Sequence, residues 1–400
     1  MSDLRRSRPL ALLTTALAFG IACDAAASSD GGGVAVRDSA GIAIVESAAP
    51  GEDTPRWRAV DSTALRIGAV EGPVEYVFDD IEAALRLSDG RIVVADGGSR
   101  SLRFFDSAGT FLHATGRQGG GPGEFEILDA VHLIAGDTLL AWDRRLKRVS
   151  VVAPTGEFQR SIAVQPPGGH RGPANVVDAT DDGRLLVHLS DMSGMVDGTT
   201  WSRRDTLTIM LYSRDGQPLD TLGVWAGTEG YAHGMTGGPL VFGRSTDIEA
   251  TDGALFVADN DRYEILVHDL TGELRTIVRR THAERPVTSA DIDRYHREAR
   301  EGGPLRPAWA ARIADTPFPE RMPAFEGLLV DAAGRLWVED YEPWPVDEVG
   351  WSVFSPEGHL VATARTAGDL RVTQIGEDWI LGVHRDDLGV QTVRLHRLAR

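Results

Sequence analysis

The sequence predicts an all-β fold. The expected form is a six-bladed β-propeller of four-stranded antiparallel blades, its ring closed by an N-terminal strand, with a partly helical insertion between blades 4 and 5. Three observations predict it. The stretch 81–125 reads as four short strands, IEAALRLSDG, RIVVADGGSR, SLRFFDSAG and TFLHATGR, closed by the loop QGGGPGEF. Apolar alternation with turn residues every 8–12 positions marks an antiparallel meander. Such a sheet alone leaves edges and faces open, so it needs neighbours, and copies of it follow along the chain. Finally, the strand within 57–78 ends in Gly72-Pro73 and Glu75-Tyr76, where the first unit's fourth strand ends in Gly121-Pro122-Gly123-Glu124-Phe125. The early strand therefore carries the connector of a fourth strand and is free to complete the last sheet.

Taken in order, the chain opens with Arg5, Arg6 and Arg8 before an apolar run over 10–22, too short to span a bilayer as a mature helix. This is the pattern of an export signal. The single cysteine, Cys23, follows directly and is similar in position to the lipid-attachment cysteine of bacterial lipoproteins. Residues 1–23 are thus expected as a lipoprotein-type signal segment, 24–38 (Ala, Ser, Gly and Asp) as a flexible tether, and 39–400 as the propeller. Two lipid chains on Cys23 would hold the protein on a membrane facing the periplasm or the cell surface. A net charge of −18 excludes nucleic acid as a partner, since phosphate binding needs clustered Lys and Arg.

In the first unit, Ser88-Asp89-Gly90 and Asp106-Ser107-Ala108-Gly109 supply the glycines of tight hairpins. The second unit covers 130–135, 138–143, 148–156 and EFQRSIAV. The third runs from Val176 through DDGRLLVHL to TIMLYSRDGQPLDTLGV, with a polar insertion over 190–205. The fourth starts near Asp247, the fifth is GLLVDAAGRLWVEDY and WSVFSPEGHLVATAR, and the sixth is LRVTQIGEDWILGVHRDDLGVQTVRLHRL, which lacks an outer strand. The largest departure from the repeat is 281–322. There Thr288 with Asp291 forms an N-cap signature, SADIDRYHREAREG reads as an exposed helix, 305–315 as a second short helix, and Pro317, Pro319 and Pro323 impose an extended return. An insertion of this length serves as a lid or binding loop.

The repeated core DGR-apolar-apolar-V-x-D, as at 89–96 and 331–340, together with GGGPGEF, resembles the NHL-like six-bladed propellers, in particular their bacterial lipoprotein branch, over about 57–398. The resemblance implies the fold. It leaves the activity open, because relatives include sugar-lactone hydrolases, peptide-amidating lyases and binding proteins.

Candidate chemistry gathers where fourth-to-first connectors and second-to-third turns share a face. Glu82, Asp129, Asn175, Asp247 and Glu326 stand at the starts of the innermost strands, and hard oxygen donors in a ring suit Ca²⁺ or Mg²⁺. The alternative is structural: each accepts loop amides or pairs with a cation such as Arg371. Asp96, Asp143, Asp259 and Asp340, ending the second strands, read as turn-satisfying side chains. His384 breaks that pattern and is the one candidate base. Trp142, Trp337 and Trp379 read as core. Trp225, Trp309, Trp344 and Trp351, next to insertions, are candidates for stacking on a sugar or peptide, with His233 and His170 in nearby connectors. No nucleophile elbow, nucleotide loop or Cys/His metal spacing appears. The expected function is an envelope binding module for a peptide, sugar or protein partner. The alternatives are a divalent-metal-dependent, lactonase-like hydrolase or lyase and a non-catalytic scaffold subunit.

Overall fold

The computed structural model describes residues 28–30, 33–168, 170, 172–190, 200–233, 236–301 and 307–400. The signal segment 1–23, with Cys23, lies outside the described residues. Before the first repeat come β1 (Ser28–Asp30), β2 (Val34–Ser39), β3 (Ile42–Ser47) and β4 (Arg56–Ile67). The first unit is β5 (Ile81–Arg86), β6 (Ile92–Asp96), β7 (Ser101–Phe105) and β8 (Phe111–Thr115), paired in that order. The second is β9 (Leu128–Ile134), β10 (Thr138–Asp143), β11 (Arg148–Val152) and β12 (Phe158–Ala163). The third holds β13 (Ala174–Ala179), β14 (Leu185–Ser190), β15 (Trp201–Tyr212), β16 (Pro218–His233) and β17 (Thr236–Pro239). Then follow β18 (Thr246–Ala250), β19 (Leu255–Asp259), β20 (Glu264–His268) and β21 (Leu274–Arg280). After helices α1 (Ser289–Glu301) and α2 (Pro307–Ala314) come β22 (Leu328–Val330), β23 (Leu336–Glu339), β24 (Glu348–Phe354) and β25 (Leu360–Ala367). The chain ends with β26 (Leu370–Ile375), β27 (Trp379–Arg385) and β28 (Gln391–Ala399).

The first strands of successive units stand side by side. β5 touches β9, β9 touches β13, then β13–β18, β18–β22 and β22–β26, and β26 returns to β5. This closed succession of antiparallel sheets is a β-propeller. Apolar side chains fill the wedges between neighbouring sheets. One such cluster joins Trp142 and Val149 to Val176, Leu185 and Tyr212, and another joins Phe256 and Ile265 to Phe325, Leu336 and Phe354. Trp142 and Trp337 are fully buried there, as their strand positions predict. The missing outer strand of the last sheet is β4, antiparallel to β28 with Leu65 opposite Leu395 and Ile67 opposite Val393. At its other end β4 runs parallel to β25, with Arg56 opposite Thr363.

The N-terminal expectation needs correction. The stretch 24–38 is not tether throughout, because β1 pairs with β2, β2 with β3, and β3 runs parallel to β21. The cause is legible locally. VAVRDS and IAIVES alternate, and Ala40 (φ 55°) and Gly41 (φ 84°) make the positive-φ pair of a tight hairpin. The polar insertion expected over 190–205 is likewise strand from Trp201, because β15 and β16 pair far beyond the other hairpins and form an arm. Helix α1 starts as expected. Thr288 Oγ1 and its N–H both donate to Asp291 Oδ2, at 2.6 and 3.0 Å, and the Asp291 N–H returns to Thr288 Oγ1.

Candidate functional site

Three inner strands carry a wall of carboxyl groups. Asp178 on β13 accepts the N–H of Ala179 at 2.8 Å and, across to β18, that of Ala250 at 2.9 Å. Asp247 on β18 accepts the N–H of Ile248 at 3.0 Å and that of Leu328 at 2.7 Å, joining β18 to β22. Glu249 lies two residues along, on the same face of β18. Burial raises its pKa well above the carboxylate range, reinforced by Asp178 and Asp247. Glu326, just before β22, has its pKa raised by burial first and then by Asp247. Glu339, ending β23, is pushed to about 7 by burial first, then by Glu326, Asp340 and Asp247. Carboxyls crowded in this way keep protons that isolated ones would lose.

The five expected ligands divide. Glu82 and Asp129 line one cavity of about 490 Å³ with Asp79, Asp80 and Arg144. Asp129 is held by Arg144 at 2.9 Å, and Glu82 is raised by burial, Asp80 and Asp129. Asp247 and Glu326 belong to the carboxyl wall, and the Oδ1 of Asn175 is buried without a partner. A divalent ion needs several free, charged oxygens. Here Asp129 pairs with Arg144 and Asp247 accepts two main-chain amides, while burial raises the pKa of Glu82, Asp247 and Glu326 above the ordinary carboxylate value. Among the described residues no three His, Cys, Asp or Glu side chains are grouped to hold a metal ion. The five expected donors are therefore not gathered into one group among the described residues.

The other candidates have partners within the chain. Arg371 donates to the carbonyls of Ile81 (2.6 Å) and Glu82 (3.3 Å), tying the last unit to the first. His384 is buried with Nε2 2.8 Å from Asp369. Trp351 is also no stacking platform. It is 3% exposed in a sheet-to-sheet core, and its Nε1 donates to Thr366 Oγ1. Among the second-strand carboxylates, Asp96 pairs with Arg103 at 2.6 Å, and Asp143 accepts the N–H groups of Glu126, Ile127, Arg145 and Leu146.

The insertion forms an ordered cap. Trp344 Nε1 donates to Asp291 Oδ1 of α1, the Arg294 guanidinium lies 4.4 Å over the Trp344 ring, and Phe242 meets that ring edge-on. Phe318 packs against Phe242, Tyr295 and His296. On α2 the buried Arg312 donates to the Pro239 carbonyl at 3.1 Å, and Asp315 lies 3.1 Å from His233 Nδ1, fixing α2 to the β16–β17 arm. Of the sequence-nominated aromatics, Trp309 remains 41% exposed, with Arg312 5.4 Å from its ring.

Sequence reasoning missed two features. Asp247-x-Glu249 is an i, i+2 pair and could have been read, whereas its crowding by Asp178 depends on the neighbouring sheet. Ser190 Oγ lies 3.1 Å from His188 Nε2, also an i, i+2 pair, on β14. Burial lowers the pKa of that imidazole, while Asp205 opposes the shift.

No protein-family model matches the chain, and no curated sequence matches it. Among solved structures it is similar to a member of the DUF4221 family from Bacteroides vulgatus, with TM-score 0.53 and 10% identity over 87% of this chain and 100% of that one. The likeness is one of fold. A gluconolactonase from Xanthomonas campestris is also similar, with TM-score 0.42 and 11% identity over 85% and 99% of the two chains. So is the calcium-binding protein regucalcin from Agrobacterium tumefaciens, with TM-score 0.40 and 11% identity over 86% and 97%.

Proposed function

We propose that this chain is a binding module: an exported six-bladed β-propeller of NHL-like type, with four-stranded blades, lipid-anchored through Cys23. Its capped face would take a peptide, sugar or protein partner. The observation that carries this reading is the cap itself. Ordering two helices costs conformational entropy, which the buried Arg312 contacts and the Phe242–Phe318–Trp344 cluster offset, and the result holds Trp309 outward on a fixed platform. The contacts that Asp129, Asp178 and Asp247 make with Arg144 and with main-chain amides support binding over metal chemistry. The test is a screen of purified oligosaccharides and peptides by fluorescence titration with the wild type and Trp309→Ala. A hit weakened at least about tenfold in the variant, with unchanged melting temperature, supports the reading. Hits unaffected by Trp309→Ala would remove the cap from it.

A second reading, a hydrolase, is favoured by the Ser190–His188 contact, since an imidazole within hydrogen-bond reach activates a hydroxyl. Labelling by a fluorophosphonate that is lost in Ser190→Ala would support it. Absence of labelling in the wild type would end it.

A further inference from the structure

A cavity of about 770 Å³ opens where the end of β21 faces β24, β25 and the start of β4. That is the size of a small-molecule site. Its walls carry Arg56, Arg58, Arg280 and Arg365 against Asp340 and Glu348, a formal excess of two positive charges in a chain whose net charge is −18. We infer that this cleft binds a small organic anion, through a carboxylate or phosphate group seated on Arg280.

Arg280 is the least satisfied cation of this cleft. Its side chain is 9% exposed, its guanidinium lies 3.9 Å from the centroid of the Tyr263 ring, and it donates to Ser352 Oγ. Its Nε is buried with no partner. The nearest carboxylate oxygen, of Asp340, stands 3.8 Å away, beyond hydrogen-bond length. Asp340 is thus a counter-ion without a hydrogen bond, which compensates the buried guanidinium only in part, and an oxyanion entering the cleft supplies the rest. Glu348 cannot serve Arg280, because it is engaged by Arg58 at 3.0 Å and lies 4.0 Å from Arg365. Arg56 is exposed at the rim, and Trp351 and Ser352 form the floor. The volume exceeds what an inorganic anion fills, so the anionic group comes on a larger body. Two sources share this chemistry, an acidic sugar and a sugar phosphate.

The experiment titrates the full chain with glucuronate, glucose 6-phosphate, inorganic phosphate and neutral glucose, reading tryptophan fluorescence and calorimetric heat at low and high salt. Either glucuronate or glucose 6-phosphate binds at up to about 10 mM, weakens with salt, and outcompetes glucose by at least about tenfold; which of the two binds more tightly identifies the source. Arg280→Gln weakens that binding at least about tenfold. Should Arg280→Gln fail to fold, the exposed double variant Arg56→Ala/Arg365→Ala gives a loss of about threefold or more by removing the rim charge. Trp309→Ala leaves anion binding unchanged, so failure here and failure at the cap are separable. Absence of binding by both organic anions, equal binding of glucose, or affinity unchanged in folded Arg280→Gln or in the double variant overturns the inference.

Discussion

The first two units and the wall from β13 to β23 use the same residue types to opposite ends. In the first two, each second-strand carboxylate is buried and answered. Asp96 meets Arg103, and Asp143 collects main-chain amides. Across β13, β18 and β22, Asp178 and Asp247 each join two sheets through main-chain amides, yet their neighbours Glu249, Glu326 and Glu339 face further carboxyls instead of cations. The difference teaches that an acidic residue at a strand end is architectural only when the adjoining loop or sheet brings its partner. Where the neighbour brings another acid, the carboxyl pKa rises, and the wall becomes sensitive to pH.

That contrast can be broken most severely at Asp96. Asp96→Ala strands a buried Arg103 and should cost about 3–5 kcal/mol by denaturant unfolding. A cost below about 1 kcal/mol would mean that the first unit is not held by that pair.

The next effect is a pH dependence from the other region. Glu339, at about 7 in the folded chain, holds a proton that the unfolded chain has already lost near the ordinary carboxylate value. Its contribution is therefore present at low pH and disappears as pH rises through 7. Stability should fall by on the order of 2 kcal/mol between pH 5 and pH 8, and Glu339→Gln should flatten that slope. A slope identical in the variant would show that Glu339 does not carry it. Smaller still, Glu249→Gln should be neutral or stabilising by about 1 kcal/mol at pH 8, since it removes a repelled charge. A loss there would reveal a cation near Glu249. At the cap, Trp309→Ala should change stability by less than about 0.5 kcal/mol, because the ring is partly in solvent.

Much of the fold was legible because turn chemistry and alternation are local. IEAALRLSDG through TFLHATGR mark β5 to β8, and the shared Gly-Pro connector placed 63–67 beside the last sheet, where Leu65 faces Leu395. The strands at 34–47 were obscured by the Ala/Ser/Gly run before them, although Val34, Val36, Ile42 and Ile44 alternate plainly. The site was less legible, because a side chain's partner comes from another unit. Nothing near Asp129 in sequence announces Arg144 as its counter-ion, and nothing near Asp247 announces the Leu328 amide. Trp351 stands next to an insertion in the sequence, but its strand register turns it into the core.

We propose that the carboxyls of the inner strands are held by contacts within the chain and not by a divalent ion. Thermal unfolding of the dialysed protein with and without about 1 mM Ca²⁺ tests it directly, because a ligand bound only to the folded state raises the melting temperature. A melting temperature unchanged within about 1 °C is the predicted result. A rise of several degrees that vanishes in Glu82→Ala or Glu326→Ala would contradict it.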